Sequence, residues 1–237
     1  MKFGVVIFPG SNCDHDLIHV LEDVIAAEVK ILWHKDKSLT DFNKEDCIML
    51  PGGFSYGDYL RSGAIARFSP IMESVIEFAN NGGLVMGICN GFQILCEAGL
   101  LPGALVRNRD QKFSCKNVYV LPQTNNSRLT ADLELSKPLK IPIAHAEGRF
   151  VTDEKTLKTL KENDQVLFRY CMENGEINDN ANPNGSLDNI AGICNKNRNV
   201  LGMMPHPERA SEKELNNTDG LQLFKSLAAG VNTLVSA

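Results

Sequence analysis

A buried strand followed at once by a helix is encoded in Gly83-Leu84-Val85-Met86-Gly87-Ile88-Cys89-Asn90-Gly91-Phe92-Gln93-Ile94-Leu95-Cys96. The run 83–88 is apolar and of strand length, whereas the apolar residues of 92–100 have helical spacing. Cys89 therefore lies at the sharp turn between the two elements. Glycines two positions before and two positions after it let the strand and the helix pass closely, as in hydrolases with a nucleophilic serine at such a turn.

A cysteine at this turn is a candidate nucleophile. The amino terminus of the helix favours a thiolate and offers free N–H groups to a developing oxyanion, which are two requirements of acyl transfer. A cysteine on an apolar strand is more often a small buried core residue, and Cys96 fits that description. The flanking glycines and the polar Asn90 and Gln93 favour the catalytic interpretation for Cys89.

Composition excludes several classes of protein. The chain has 237 residues, 43% of them hydrophobic, which is enough for a full core, and we expect a single domain over residues 1–237. The net charge is −5 and basic residues do not cluster, so neither nucleic acid nor a membrane is the expected partner. No apolar run reaches the roughly 18 residues of a membrane span, and no signal-peptide pattern is present. We expect a cytoplasmic protein with a small soluble ligand.

The cysteines favour neither a disulfide framework nor a metal site. Seven is an odd number, and no two of them are spaced as Cys-x-x-Cys. His-x-Glu occurs at His145 and at His206, but the zinc deaminases that carry this motif also need Pro-Cys-x-x-Cys, which is absent. No metal ligand set is predicted.

The first half of the chain alternates strands with helices. The predicted elements are a strand over 2–8, a helix with Leu17 and Ile25 on one face, strands over 29–34 and 47–50, and a helix over 69–80. This alternation indicates an α/β fold whose mostly parallel sheet is covered by helices on both faces. In such sheets the sites gather at the carboxyl ends of strands, so we expect the turns at 9–12, 51–53 and 89–90 to meet at one edge.

Beyond residue 103 the pattern changes to strands with short connections. The predicted strands are 113–121, 139–145, 166–171, 190–194 and 200–204. The connection between the last two, 195–199, is typical of a hairpin. The segment 172–189 is too polar for the core, and a loop of this length is usually functional or disordered.

The last predicted strand runs into Pro205-His206-Pro207-Glu208. Pro207 keeps His206 extended, and side chains two residues apart on an extended segment point the same way. His206 and Glu208 are thereby paired, which is the arrangement of a general base oriented by a carboxylate. A surface ion pair at a strand end is the alternative interpretation, and the turn at Cys89 argues against it.

Five segments together resemble the class I, or triad, glutamine amidotransferases. The match extends to the glutaminase subunits of phosphoribosylformylglycinamidine synthase. The segments are 51–58, 87–93, 144–150, 182–186 and 204–209, and the resemblance spans nearly the whole chain. It implies a flavodoxin-like fold in one domain. Ala146 departs from the family pattern, in which glycine is more usual at that position.

The resemblance implies a catalytic triad. Cys89 matches the nucleophile, His206 the general base and acid, and Glu208 the carboxylate that orients it. The implied reaction hydrolyses glutamine to glutamate and ammonia through a cysteinyl thioester. This agrees with the roles that the residues themselves suggest.

The resemblance also implies the residues that hold the substrate. Backbone N–H groups at Gly53 and Asn90 match the oxyanion hole, and Gln93 matches a position that helps to hold glutamine. Gly52 belongs to the same glycine turn. We therefore expect Gly52, Gly53, Asn90 and Gln93 to bind the substrate.

Ammonia needs a consumer, and this chain has no nucleotide-binding loop of either common pattern. The resemblance implies a larger synthetase subunit that binds ATP and Mg²⁺ and converts formylglycinamide ribonucleotide to the amidine in purine biosynthesis. It also implies a small third subunit. No cofactor is expected in this chain. The segments 145–150 and 172–189 are candidates for contact with the synthetase, although His145 also fits a hydrogen-bonded structural histidine.

Three alternatives remain open. The chain could serve another amidotransferase, although the segments outside the triad argue against this. It could be a cysteine peptidase or chaperone-like protein of the same fold, in which a histidine commonly follows the cysteine; Asn90 occupies that position here. It could be a binding subunit that has lost activity, but Cys89, His206 and Glu208 are all present.

Overall fold

A nine-stranded mixed sheet forms the centre of the structure, a computed structural model that describes residues 1–229. The predicted domain also included residues 230–237, which lie outside the described residues. The strands are β1 (Lys2–Ile7), β2 (Glu28–Trp33), β3 (Cys47–Leu50), β4 (Leu84–Ile88), β5 (Ala104–Val106), β6 (Ser114–Pro122), β7 (Leu139–His145), β8 (Arg149–Val151), β9 (Val166–Cys171), β10 (Ile190–Cys194) and β11 (Val200–Met203). Of these, β5 and β8 form a separate antiparallel pair, and the other nine form the central sheet. The helices are α1 (Asp14–His19), α2 (Pro70–Asn80), α3 (Asn90–Glu97), α4 (Glu154–Glu162) and α5 (Leu221–Ala228).

One half of the sheet is parallel, in the order β2-β1-β3-β4-β11. The strands β3, β4 and β11 are buried along their whole length. Burial on both faces is what their uninterrupted apolar sequences predict for strands covered by helices on each side. The carboxyl ends of β1, β3, β4 and β11 consequently lie together.

The other half of the sheet is antiparallel, in the order β11-β10-β9-β6-β7. The α/β class is confirmed, but half of the strand pairs are antiparallel, so the sheet is mixed rather than mostly parallel. The predicted short connections are found only between β10 and β11, because the loops 123–138 (β6 to β7) and 172–189 (β9 to β10) are long. Neither long loop contains an α-helix of the kind that a parallel crossover usually uses, whereas an antiparallel pair can be joined by a hairpin of a few residues. The predicted hairpin at 195–199 joins β10 to β11 in this way.

The antiparallel half curls back towards the ends of the parallel strands. Four strands separate β7 from β4 in the sheet order. Nevertheless the N–H of His206 donates to the backbone oxygen of Pro142 in β7 (2.8 Å), and the oxygen of Ala144 lies 4.0 Å from the Sγ atom of Cys89. The end of β7 therefore forms one wall of the region around Cys89.

Two helices, α3 and α1, begin near this region. Helix α3 begins immediately after Cys89 and packs on β3, β4 and β11. Helix α1 is short and continues as a π-helical turn over Val20–Val24, in which the N–H of Ile25 donates to the oxygen of Val20 (3.0 Å). None of the helices of residues 1–229 is long and apolar enough to span a bilayer.

The polar segment 172–189 is an ordered loop held by its own asparagines. The Oδ1 atom of Asn182 accepts from the N–H groups of Gly185 (2.8 Å) and Ser186 (3.2 Å). The loop then packs on the segment after β7, because Asn184 Nδ2 donates to the oxygen of Gly148 (2.8 Å). The two segments predicted to contact a synthetase thus support each other.

Candidate active site

Cys89 occupies a left-handed turn between β4 and α3. Its backbone angles are φ 50° and ψ −104°, and only 5% of its surface is exposed. A non-glycine residue in such a conformation costs on the order of 1 to 3 kcal/mol and generally marks a functional position. The N–H of Cys89 donates to the oxygen of Met203 at the end of β11 (2.8 Å), so the strand that leads to His206 holds the turn.

The two glycines around Cys89 are required by close backbone contacts. A Cβ atom at Gly87 would lie 2.5 Å from the backbone of Gly91, and a Cβ atom at Gly91 would lie 1.9 Å from the oxygen of Leu50. Helix α3 therefore passes against the ends of β3 and β4 at a distance that only glycine permits. The flanking glycines have the role predicted for them, which is to let the strand and the helix pass closely.

His206 and Glu208 form a buried pair beside Cys89. The Nδ1 atom of His206 lies 2.6 Å from Oε1 of Glu208, and both side chains are 1% exposed. Burial alone would lower the pKa of His206, but the charges of Glu208 and Cys89 and the neighbouring thiol of Cys13 raise it well above its ordinary value. The site therefore favours an imidazolium next to the sulfur.

The glycine turn after β3 closes the site from the other side. Gly53 has φ 137° and bridges to Ser11 in the turn after β1. A Cβ atom at Gly52 would lie 2.7 Å from Cε1 of His206. The turns predicted to meet at one edge of the sheet do meet there, and Gly53 shares a cavity wall with Cys89.

Asn90 and Gln93 form a hydrogen-bonded network at the start of α3. Asn90 Nδ2 donates to Oε1 of Gln93 (2.9 Å) and to Oδ1 of Asp58 (3.2 Å). Gln93 Nε2 in turn donates to the backbone oxygen of Glu147 (2.5 Å). The network connects Asn90 and Gln93 to the loop after β3 and to the segment after β7. The fold thus brings all seven predicted site residues to one region.

A cavity of about 240 Å³ opens beside Cys89. Its lining residues are Gly53, Phe54, Asp58, Ser62, Cys89, Gln93, Arg107, Ala144, His145, Ala146 and Glu147. Glu147 accepts from the Ser62 hydroxyl (2.9 Å) and lies 3.5 Å from Nε of Arg107. Burial and the charge of Glu147 raise the pKa of Asp58, so a cation is favoured near these carboxylates.

Cys13 is a site residue that the sequence did not reveal. Its Sγ atom accepts from Nη2 of Arg209 (3.1 Å), and Nε of Arg209 is 3.0 Å from Asp16. In sequence Cys13 resembles any buried cysteine; the only signal was its position directly after the turn at 9–12. The ligand atoms of Cys13, His206 and Glu208 lie within 4.8 Å of one another. The guanidinium of Arg209 on the sulfur disfavours a metal cation there.

Comparison with known proteins gives a consistent result. Residues 1–227 match the CobB/CobQ-like glutamine amidotransferase domain. The phosphoribosylformylglycinamidine synthase subunit PurQ of Koribacter versatilis is 56% identical over 98% of this chain and 99% of its own length. The counterpart in Trichormus variabilis is 55% identical over 99% of this chain and 100% of its own length.

Solved structures agree with this assignment. A chain of the PurLQS structure from Thermotoga maritima superposes with a TM-score of 0.82 at 41% identity, covering 96% of this chain and 97% of that one. A glutamine amidotransferase from the same organism, at 13% identity and a TM-score of 0.54 over 95% of this chain and 90% of that one, shares the fold. The chain therefore belongs to the CobB/CobQ-like glutamine amidotransferase family and, within it, to the PurQ subunits of phosphoribosylformylglycinamidine synthase.

Proposed function

We propose that this chain hydrolyses glutamine to glutamate and ammonia as the glutaminase subunit of phosphoribosylformylglycinamidine synthase. One observation carries the proposal: Cys89 lies in a strained turn at a small cavity that has charged residues in its lining, beside a buried histidine that a carboxylate orients. A nucleophile, a base beside it and a group that orients the base are the parts that acyl transfer by a covalent route requires.

In the first half of the reaction the thiolate of Cys89 attacks the side-chain carbonyl carbon of glutamine. A C–S bond forms and the carbonyl oxygen becomes an oxyanion, which the N–H groups of Gly53 and Asn90 stabilise in this proposal. His206 then gives its proton to the amide nitrogen. The C–N bond breaks, ammonia leaves, and a glutamyl thioester remains on Cys89.

In the second half water cleaves the thioester. His206, now neutral, takes a proton from the water as its oxygen attacks the thioester carbon. The C–S bond breaks and glutamate leaves. Cys89 returns as a thiolate beside a protonated His206, which Glu208 stabilises throughout.

The charges of the cavity suit the amino-acid end of glutamine. Asp58 and Glu147 are acceptors for an ammonium group, and Arg107 is a donor for a carboxylate. The side chain of such a ligand would extend towards Cys89 at the base of the cavity. This arrangement supports a zwitterionic substrate with a carboxamide at the far end.

The consumer of the ammonia is, in this proposal, the synthetase subunit, which binds ATP and Mg²⁺ and works with a small third subunit in the cytoplasm. The complex name PurLQS of the Thermotoga maritima relative supports such a partner. Of the two segments expected to contact it, 145–150 is largely interior, because His145 and Phe150 are buried. Glu173 and Glu176 in the loop 172–189 are exposed and better placed for contact.

Glutamate release from glutamine tests the proposal. Wild type and Cys89→Ala are assayed alone and with the synthetase subunit, ATP, Mg²⁺ and formylglycinamide ribonucleotide. Cys115→Ala is the matched control, because Cys115 is an exposed cysteine on β6. We expect Cys89→Ala to lose nearly all turnover.

We also expect wild type and Cys115→Ala to gain activity when the synthetase and its substrates are added. Turnover that depends on Cys89 but does not rise with this partner would support the glutaminase reaction and contradict the assignment to purine biosynthesis. Turnover that survives in Cys89→Ala would reject the mechanism.

A further inference from the structure

His145 is held in one tautomer by Asn108. The Nδ2 group of Asn108 donates to the backbone oxygens of Lys112 (2.8 Å) and His145 (2.9 Å). Its Oδ1 atom therefore faces the ring nitrogen Nδ1 of His145 (3.1 Å), together with the N–H of Gly148 (3.2 Å). Because an amide oxygen can only accept, Nδ1 carries the ring proton and Nε2 has a free lone pair.

That lone pair is buried and unsatisfied. The His145 side chain is 3% exposed, and within residues 1–229 no atom forms a hydrogen bond to its Nε2. Native proteins rarely leave a buried polar atom without a partner unless a ligand or a water takes that place. His145 is one of the residues that line the cavity beside Cys89, so a ligand in that cavity is the nearest candidate partner for Nε2.

His206 presents a second buried ring nitrogen next to the site. No atom of the described residues forms a hydrogen bond to its Nε2, although Cys89 is near enough to act on the ring, and its Nδ1 is occupied by Glu208. The two imidazoles are close enough for the charge of His206 to act on His145. Burial and that charge lower the pKa of His145 to about 4, so His145 is neutral at neutral pH. One histidine is thus a proton donor and the other a lone-pair acceptor.

We propose that Nε2 of His145 accepts a hydrogen bond from the carboxamide N–H of bound glutamine and keeps it as ammonia departs. This inference rests on the proposed glutaminase function and assigns a further residue to it. The amide nitrogen of the tetrahedral intermediate has one lone pair and two N–H groups. The lone pair takes the proton of His206, and one N–H donates to His145. The Nε2 atoms of both histidines thereby gain a hydrogen-bond partner.

The hydrogen bond to His145 also orients the leaving group. Rotation about the C–N bond must turn the nitrogen lone pair towards His206 before the bond can break. An acceptor that holds one N–H limits this rotation and places the lone pair correctly. No proton moves to His145 in this step, so the proton transfers of the proposed reaction are unchanged. The C–N bond breaks, and the nitrogen leaves as ammonia with the proton from His206.

Two variants separate the acceptor from the fold. His145→Asn retains a donor near the position of Nδ1, which can still reach Asn108, but has no acceptor at the position of Nε2. His145→Gln places a carboxamide oxygen near the position of Nε2 and restores an acceptor. Circular dichroism and thermal unfolding of both variants report whether they are folded.

The experiment compares glutamine with L-glutamic acid γ-methyl ester. The ester retains the ammonium and carboxylate groups but its leaving group has no N–H. We expect His145→Asn to lower kcat/KM for glutamine by about 10- to 100-fold, the usual effect of one lost hydrogen bond to a buried group, and to leave ester hydrolysis within about twofold of wild type. His145→Gln should recover part of the glutamine activity.

Alkylation of Cys89 by 6-diazo-5-oxo-L-norleucine is the second measurement, because this glutamine analogue also lacks an amide N–H. Its rate should be the same in wild type and His145→Asn. An equal loss with glutamine, the ester and the analogue would show that His145 acts only on the structure and would overturn the inference. Failure of the glutaminase proposal is distinct: wild type itself would then release no glutamate in a Cys89-dependent manner.

Discussion

The left-handed backbone of Cys89 is maintained by its neighbours rather than by its own preference. The N–H of Cys89 donates to Met203, and the absent side chain of Gly91 lets α3 approach Leu50. The same hydrogen bond joins the nucleophile to the strand that ends just before His206. This one hydrogen bond therefore both holds the strained turn of the nucleophile and fixes the end of the strand that leads to the base.

Glu208 sets the proton affinity of His206, and its replacement should change the pH dependence of the reaction. The Glu208 charge raises the pKa of His206. In Glu208→Gln that pKa falls, so the imidazolium is lost at lower pH and the alkaline limb of kcat/KM moves to lower pH. We expect kcat to fall by roughly 10³ to 10⁴, as when a triad carboxylate is made neutral.

The measurement is glutamate release as a function of pH for wild type and Glu208→Gln. Glu214→Gln, at an exposed position, is the control for a lost carboxylate. An alkaline limb that stays in place in Glu208→Gln would mean that another group sets the proton affinity of His206.

The sequence revealed those site residues whose placement is local. A glycine two positions on each side of Cys89 fixes geometry over a few residues, and such geometry can be read directly. His206 and Glu208 are paired, but the extended segment predicted for them is wrong, because Glu208 lies in a 3-10 helix over Pro207–Ala210 that begins directly after His206. Cys13 and Asn108 act through contacts with residues far along the chain. No local pattern encodes such contacts, so only the fold could reveal them.

At the scale of elements, the contact between α3 and β3 is the tightest constraint on the site. A Cβ atom at Gly91 would lie 1.9 Å from the backbone oxygen of Leu50, which no side-chain movement can relieve. Gly91→Ala must therefore shift the first turn of α3. We expect a loss of about 2 to 4 kcal/mol in the free energy of unfolding and a larger loss of glutaminase activity.

Denaturant unfolding and glutamate release measure these two effects. Gly99→Ala is the control, because Gly99 has φ 72° with no atom near its Cβ position, and its cost is confined to backbone strain of about 1 kcal/mol. Equal losses in the two variants would contradict the steric explanation.

Long apolar strands were predictable, and the elements with little apolar surface were not. The strands β3, β7, β9 and β10 have the predicted limits. Helix α4 was missed because its nine residues include only two large apolar ones, Leu157 and Leu160, which is too short an apolar stripe to stand out in the sequence. The pair β5 and β8 was missed because three residues are too few to show a period.

At the scale of the molecule, the loop 172–189 carries exposed negative charges that are candidates for contact with the synthetase. Charge reversal at both Glu173 and Glu176, which are exposed, should weaken the complex with the synthetase by about tenfold while the fold is retained, because rim charges act on association. Gel filtration and calorimetric titration with the purified synthetase measure this. Glu45→Lys, at an exposed position before β3, is the control. An unchanged affinity would remove this loop as a contact.

The position of β11 has a consequence for synthesis of the protein. It is the last strand in the described chain, yet it lies inside the sheet between β4 and β10. Cys89 and His206 are separated by about half of the chain, so the emerging polypeptide carries its thiol long before it carries the base. A nascent chain on the ribosome therefore has no triad. We expect it to be unable to hydrolyse glutamine until residues 200–208 have emerged and β11 has inserted into the sheet.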